Sequence, residues 1–411
     1  MTDFFTDAHD RLRTQVAGFA AAEVAPRIDH MERTGDVDTG LARLIAAQGW
    51  IGATIPREHA GMGAGHVAKT VIIEELSRVS AAAGAIAQAS QLGVAKLLHF
   101  GTAEQKQEWL PRITGGSLLP TIAVTEHGSG SHVLGMKSTG EQTGRNTWRL
   151  TGRKAWIGNS HLGGPHGVVV RTGPGTRGLT AFLVEGDRPG LHIPPHPTML
   201  GLHGFAFGEL HLDGVLIPDA NRIGEVGEGL DVAYSSSILY GRPNLTAVAL
   251  GIIRAAVDHT STHVLDRRRY DGPLADLPTI RERIGGMEGR LVTSRLTAYH
   301  AAASLDRGLP CDPDLMNAKH GTTNAAMTSV REGLEIHGAA GLVAGQPIAR
   351  LYRDAACLRA PAGTDAVQLH RLASRTLGPH HPEWSARFPT PVTSGPYHPA
   401  RTRPAGAAVP A

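Results

Sequence analysis

The strongest constraint on this chain is where its hydrophobic period changes. Short β-type runs occur only between residues 120 and 230: TWRLTG (147–152), HGVVVRTG (166–173), LTAFLVEG (179–186) and ELHLDGVLIP (209–218). Gly, Pro and Asp separate them, as turns between strands require. On either side the apolar spacing is helical. Leu41, Leu44 and Ile45 run up to Gly49, and Val71, Ile72, Ile73, Leu76 and Val79 follow before the strands. Leu245, Val248, Ile252, Ile253, Ala256 and Val257 form a stripe after Pro243, with further helices expected over 279–305, 313–337 and 363–376. Thr102 and Gln105 have the spacing of a capping box. The expectation is an α+β protein in three parts: an N-terminal helical domain over 1–119, a small antiparallel β-barrel or sandwich over 120–230, and a C-terminal helical bundle over 231–380. The tail, 381–411, is rich in Pro, Gly, Ser and His and is expected to be mobile. Clefts between such domains are where ligands bind.

Composition narrows the function classes. Lys and Arg number 40 against 37 Asp and Glu, with no basic stripe carrying interleaved aromatics, so no nucleic-acid partner is expected. Only two cysteines occur, Cys311 and Cys357, which leaves no disulfide framework and no zinc-ligand spacing. No apolar run reaches membrane-spanning length, and MTDFFTDAHDRLR lacks a signal-peptide layout, so no membrane partner and a cytoplasmic location are expected.

Several stretches then resemble one family, the acyl-CoA dehydrogenases, in order along residues 5–378. They are GTAEQKQEWLPRITGG (101–116), AVTEHGSGSH (123–132), GRKAWIGNS (152–160), DRRRYDG (266–272), EIHGAAGL (335–342), RLYRDA (350–355) and AGTDAVQLHRLA (362–373). Each is weak alone, and together they are specific. The resemblance implies that the C-terminal part is a four-helix bundle, that the cofactor is FAD, and that the substrate is an acyl thioester on CoA or an acyl carrier protein. It also implies a homodimer or homotetramer that completes the FAD site across subunits. The electron acceptor or flavin reductase is left open.

Carried over residue by residue, the resemblance assigns Thr125 to the edge of the flavin ring, where backbone N–H groups and a hydroxyl are suitable donors. Ser131 falls at the flavin phosphate region or the phosphopantetheine side of the substrate. Trp156 stacks beside the flavin and excludes water. Gly158 replaces a Thr or Ser, so a side-chain donor is lost and a roomier pocket is expected. Arg267 opens a run of three arginines, and its guanidinium suits the FAD pyrophosphate of a neighbouring subunit. Glu335 and Gly338 belong to the segment that holds the ADP half, Glu335 replacing the usual Gln. Thr364 lies near the FAD phosphates, and Arg242 is the retained arginine of the substrate-binding helix.

The same comparison exposes a gap. Dehydrogenation of an acyl thioester needs a carboxylate to take the α-proton. The family carries that glutamate immediately before Gly-Thr, here Ala362, or one residue before the helix arginine, here Gly241. The acidic residue three positions before that arginine, which helps bind the CoA nucleotide, is Leu239. Asp365, on the helical face expected to include Ala362, and Tyr240, beside Gly241, are the candidate replacements; His337 is a more distant third. Three readings follow: a thioester oxidoreductase with an atypical or relocated base, a flavin monooxygenase of a biosynthetic pathway that needs no such base, and a non-catalytic flavin-binding paralogue.

Overall fold

The structure is a computed structural model, and it describes residues 4–388. The N-terminal part holds α1 (Asp7–Phe19), α2 (Ile28–Thr34), α3 (Thr39–Ala47), α4 (Gly65–Val79), α5 (Ala81–Phe100) and α6 (Ala103–Thr114). α5 is buried on nearly every side, which its Ala-rich, almost uncharged sequence allows. α6 starts with the expected capping box: Gln105 N–H donates to Thr102 Oγ1 (3.2 Å), and Thr102 N–H donates to Gln105 Oε1 (3.1 Å). The Gln105 amide also donates to the carbonyls of Ala220 and Arg222, tying this helix to the sheet.

The central part holds β1 (Thr121–Ala123), β2 (Thr139–Gly144), β3 (Thr147–Gly158), β4 (His166–Arg171), β5 (Leu179–Val184), β6 (Leu191–His192), β7 (Phe207–Pro218) and β8 (Arg222–Ile223). The strand order is β6-β7-β3-β2-β4-β5-β8, with β1 also paired to β4. Pairing is largely antiparallel; β1–β4 and a single β2–β4 bridge are parallel. β4 and β5 are buried on both faces, and strict alternation explains why. Val168, Val170, Phe182 and Val184 point into the sheet's own core, whereas Val169, Ala181 and Leu183 join the large helical core.

The C-terminal part begins with α7 (Gly229–Ser235). A π-type segment, Ser236–Gly241, then runs into α8 (Arg242–Asp266). A two-residue hairpin, β9 (Arg268–Arg269) with β10 (Gly272–Pro273), leads to α9 (Pro278–Asp306) and α10 (Asp312–His337). α11 (Pro347–Ala356) and α12 (Asp365–Leu377) close this helical domain. The two helical parts share one core, and a buried ion pair crosses it: Arg254 donates to Glu74 at 2.8 Å. Of the expected mobile tail, 389–411 lie outside the described residues. Within residues 381–388, α13 (Trp384–Arg387) packs where Asp312 accepts from the N–H groups of Trp384 (2.8 Å) and Ser385 (2.9 Å). Among the described residues no helix is long and apolar enough to cross a membrane.

Candidate active site

A cavity of about 620 Å³ lies where α5, the β3–β7 edge and the C-terminal helices meet. A wider trough of about 1010 Å³ between α1–α2 and α8 takes in Arg350 of the RLYRDA stretch but none of the residues assigned to flavin or substrate.

The β-side wall is shaped by a bulge. The β3–β7 register shifts between Lys154 and Ile157, and Trp156 there adopts φ +61°. Bulges re-aim side chains, and this one leaves the indole 44% exposed toward the cavity. Phe207 lies near-parallel to it at 6.1 Å, and the His127 ring meets it edge-on at 5.3 Å. Thr125 and Ser131 line the same wall at the two ends of the TEHGSGS loop. Glu126 locks that loop by accepting from Lys137 N–H (2.7 Å), Ser138 N–H (3.0 Å) and the Lys154 ammonium (2.8 Å). Burial alone would raise its carboxyl, but these three donors outweigh it and bring the pKa to about 2. Gly158 overturns the expectation of a roomier pocket. A Cβ at this position would lie 3.0 Å from both Ala89 Cβ and Phe205 Cζ, so the missing side chain's space is already filled.

The C-terminal wall carries the two positions of the expected base. They face each other: a Cβ on Gly241 would stand 3.1 Å from the Cβ of Ala362. Ala362 (φ +52°) and Gly363 (φ +93°) form a left-handed turn before the helix. Lys319 pins the turn by donating to the carbonyls of Arg359 (2.7 Å) and Gly363 (2.9 Å), and the Gln368 amide donates to that of Ala362 (2.9 Å). Thr364 borders the cavity and caps α12 by accepting from Val367 N–H at 3.4 Å.

Two expectations fail here, those for Asp365 and Tyr240, while His337 is as distant as its segment implied. Asp365 does not share a helical face with Ala362, because α12 begins only at Asp365. Its carboxylate turns away from the cavity toward Arg359 Nε (3.0 Å) and His320 (3.3 Å). Burial opposes its ionisation, but the Arg359 hydrogen bonds prevail and hold it below the usual carboxylate range. Tyr240 is fully buried with its ring 4.4 Å from the Lys69 ammonium and 5.0 Å from the His66 ring; burial pushes its hydroxyl pKa up. His337 stacks on His263 at the opposite end of the bundle.

The remaining motif residues separate into two groups. Thr125, Ser131, Trp156, Gly158, Arg242, Ala362 and Thr364 border one cavity. Arg267, Glu335 and Gly338 sit at the far ends of α8 and α10, and α8 alone is about 37 Å long at 1.5 Å per residue. Arg267 is exposed, Glu335 pairs with Arg283 at 2.6 Å, and Gly338 (φ +60°) ends α10. Within one chain these three do not reach the cleft.

Arg371 and Tyr234 also border the cavity, and sequence reasoning passed over both. Thr364, Val367 and Arg371 have the spacing of one helix face, a legible signal. The Arg371 guanidinium lies 5.0 Å over the Tyr234 ring. Arg242 is only 2% exposed, and among the described residues its Nε and Nη1 have no hydrogen-bond partner. Burial, followed by repulsion from Arg371, pushes it down to about 9.

The cleft fits a flat ring. An exposed indole backed by Phe207 offers a face, and Thr125, Ser131 and Thr364 offer hydroxyls around it. Among the described residues no cluster of His, Cys, Asp and Glu is placed to hold a metal ion.

Comparison with known proteins agrees. The N-terminal, middle and C-terminal domain models of acyl-CoA dehydrogenases match residues 6–117, 121–215 and 227–377. An acyl-CoA dehydrogenase of Bacillus subtilis is 32% identical over 89% of this chain and 97% of its own. The butyryl-CoA dehydrogenase of Megasphaera elsdenii superposes with a TM-score of 0.89 at 26% identity, covering 91% of this chain and 99% of its own. An acyl-CoA dehydrogenase of Bacillus anthracis complexed with FAD superposes with a TM-score of 0.85 at 26% identity, over 91% of this chain and 68% of that one.

Proposed function

This chain belongs to the acyl-CoA dehydrogenase family of FAD-dependent oxidoreductases, and from that premise we propose that it oxidises or reduces an acyl thioester, on CoA or a carrier protein, with no carboxylate of its own at the α-carbon. The observation that carries this is the facing pair Gly241 and Ala362 in a cleft otherwise furnished for flavin and substrate. FAD, when bound, supplies the hydride acceptor or donor. Trp156 covers one face of the ring and keeps water from it. Thr125 and Ser131 present hydroxyls from a loop that Glu126 and Lys154 hold rigid. The Ala362 N–H, in the turn pinned by Lys319 and Gln368, polarises the thioester carbonyl.

A positioned base is worth roughly 10²–10⁴-fold. The preferred substrate is therefore one whose α-proton is already acidic, or an enoyl thioester that takes hydride at the β-carbon and its α-proton from water. Arg267, Glu335 and Gly338 serve the ADP end of FAD in a second copy of the chain, which makes the working unit at least a dimer.

Anaerobic mixing of the purified holoprotein with acyl thioesters tests the proposal. Bleaching of the flavin supports it, as does reoxidation of reduced flavin by an enoyl thioester. A flavin that responds to neither, but drives NAD(P)H-dependent oxygen uptake coupled to a hydroxylated product, supports the monooxygenase reading, which the absent base also suits. A colourless protein that takes up no FAD leaves only the non-catalytic paralogue.

A further inference from the structure

Two guanidinium groups border the cavity, and among the described residues neither has a carboxylate paired with it. Arg242 opens α8 and is buried, with Nε and Nη1 unpaired. A buried charge without partners is costly, and proteins retain one where a ligand completes it. Arg371 reaches the same cavity from α12, half-buried, with its planar group over Tyr234.

The neighbouring acids are already engaged. Asp312 is the carboxylate that most favours the charged form of Arg242. Its two oxygens accept from Trp384 N–H, Ser385 N–H and Ser385 Oγ. Glu126, on the opposite wall, is bound to Lys154. Asp231 pairs with Arg387 and Glu383 with Arg375. The two positions that elsewhere in the family carry a glutamate, Gly241 beside Arg242 and Ala362 facing it, hold residues without a carboxylate.

Resting on the thioester reading above, we propose that Arg242 and Arg371 clamp an anionic oxyacid group of the substrate: a carboxylate on the acyl chain or the phosphate of its pantetheine carrier. Both groups present the paired oxygens that a guanidinium fork matches. Arg371 is the specificity-determining member, because it stands on the cavity-facing stripe of α12 with Thr364 and Val367.

The test measures binding to the holoprotein by perturbation of the flavin spectrum, with two matched pairs of ligands. Hexanoyl-CoA against adipoyl-CoA isolates a carboxylate on the acyl chain. Butyryl-pantetheine against butyryl-4′-phosphopantetheine isolates the phosphate. One pair is expected to favour its charged member by roughly tenfold or more, the range of a charge-assisted hydrogen bond. Arg371→Met should bring that ratio to within about twofold with FAD content unchanged, and Arg371→Lys should keep part of it. Because Arg242→Met removes a buried side chain and risks misfolding, the surface-reaching Arg371 carries the test. Equal binding of both members of both pairs overturns the clamp and leaves the thioester reading standing, as does a preference that Arg371→Met leaves intact. Failure of every thioester to bind overturns the thioester reading itself, and the clamp with it.

Discussion

Gly241 and Ala362 meet across the cleft, with a Cβ on the first 3.1 Å from the Cβ of the second. They lie 121 positions apart, at the end of a π-type segment and in a left-handed turn respectively. The family's two alternative base positions are thus one place reached from two directions. Losing the glutamate at one therefore cannot be offset by a small shift in the other.

Installing a carboxylate there should create α,β-dehydrogenase chemistry. Ala362→Glu is expected to raise the rate of anaerobic flavin reduction by saturated acyl-CoA by roughly 10²–10⁴-fold. Gly241→Glu alone crowds Ala362, whereas Gly241→Glu with Ala362→Gly removes that contact and suits the positive φ at 362. The double variant should exceed Gly241→Glu alone in stability by about 1–2 kcal/mol. Stopped-flow bleaching and thermal melts check both. No gain from either glutamate would mean that the α-carbon does not sit at this junction.

Asp365→Asn should leave thioester-driven flavin reduction unchanged, because the carboxylate faces Arg359 and His320 outside the cavity. Its folded pKa is depressed, so its contribution to stability is present above the ordinary carboxylate pKa and lost as pH falls through the lower folded value. Partial exposure limits the loss on substitution to about 1 kcal/mol. Reduction slowed tenfold or more would restore Asp365 as the base.

How far the sequence reaches is clear from particular residues. A short β-type run bounded by Gly, Pro or Asp located β4 and β5, and the Thr102–Gln105 spacing located the start of α6. It placed β3 but stopped it at Gly152. Register shifts at Leu150/Gly152 and Lys154/Ile157 interrupt the alternation, and the strand runs on to Gly158. Asp365 was misplaced by treating the turn as helix, although Thr364 is itself a good N-cap residue. Gly158 failed for a different reason. Whether an absent side chain leaves room depends on Ala89 and Phe205, which come from distant segments that no local pattern reports.

Gly158→Thr should therefore damage the fold rather than simply restore a hydroxyl beside the flavin. Its Cβ would press on Ala89 and Phe205 at 3.0 Å, and overpacking of this kind costs about 1–3 kcal/mol. FAD retention should fall with the melting temperature. Combining the change with Phe205→Leu should recover much of both. An unaltered melt for Gly158→Thr would show that the Ala89–Phe205 side yields easily.

Glu126 makes the protein acid-sensitive at its own cleft. Its pKa falls from 4.5 to about 2 on folding, because Lys137 N–H, Lys154 and Ser138 N–H outweigh the effect of burial. A depressed folded pKa contributes stability that is complete above about pH 4.5–5 and disappears as pH falls toward 2. At 1.36 kcal/mol per pKa unit the shift corresponds to about 3 kcal/mol, and contact of the loop with cleft water reduces this to about 2 kcal/mol. Glu126→Gln should lower stability by that amount at pH 7, and the two proteins should converge near pH 2–3. The same substitution leaves Lys154 buried without its carboxylate, so FAD affinity should drop as the Thr125–Ser131 loop loosens. Denaturant titrations across pH, with flavin retention measured in parallel, check this. A stability gap that stays constant from pH 7 to pH 3 would remove Glu126 as the lock on that loop.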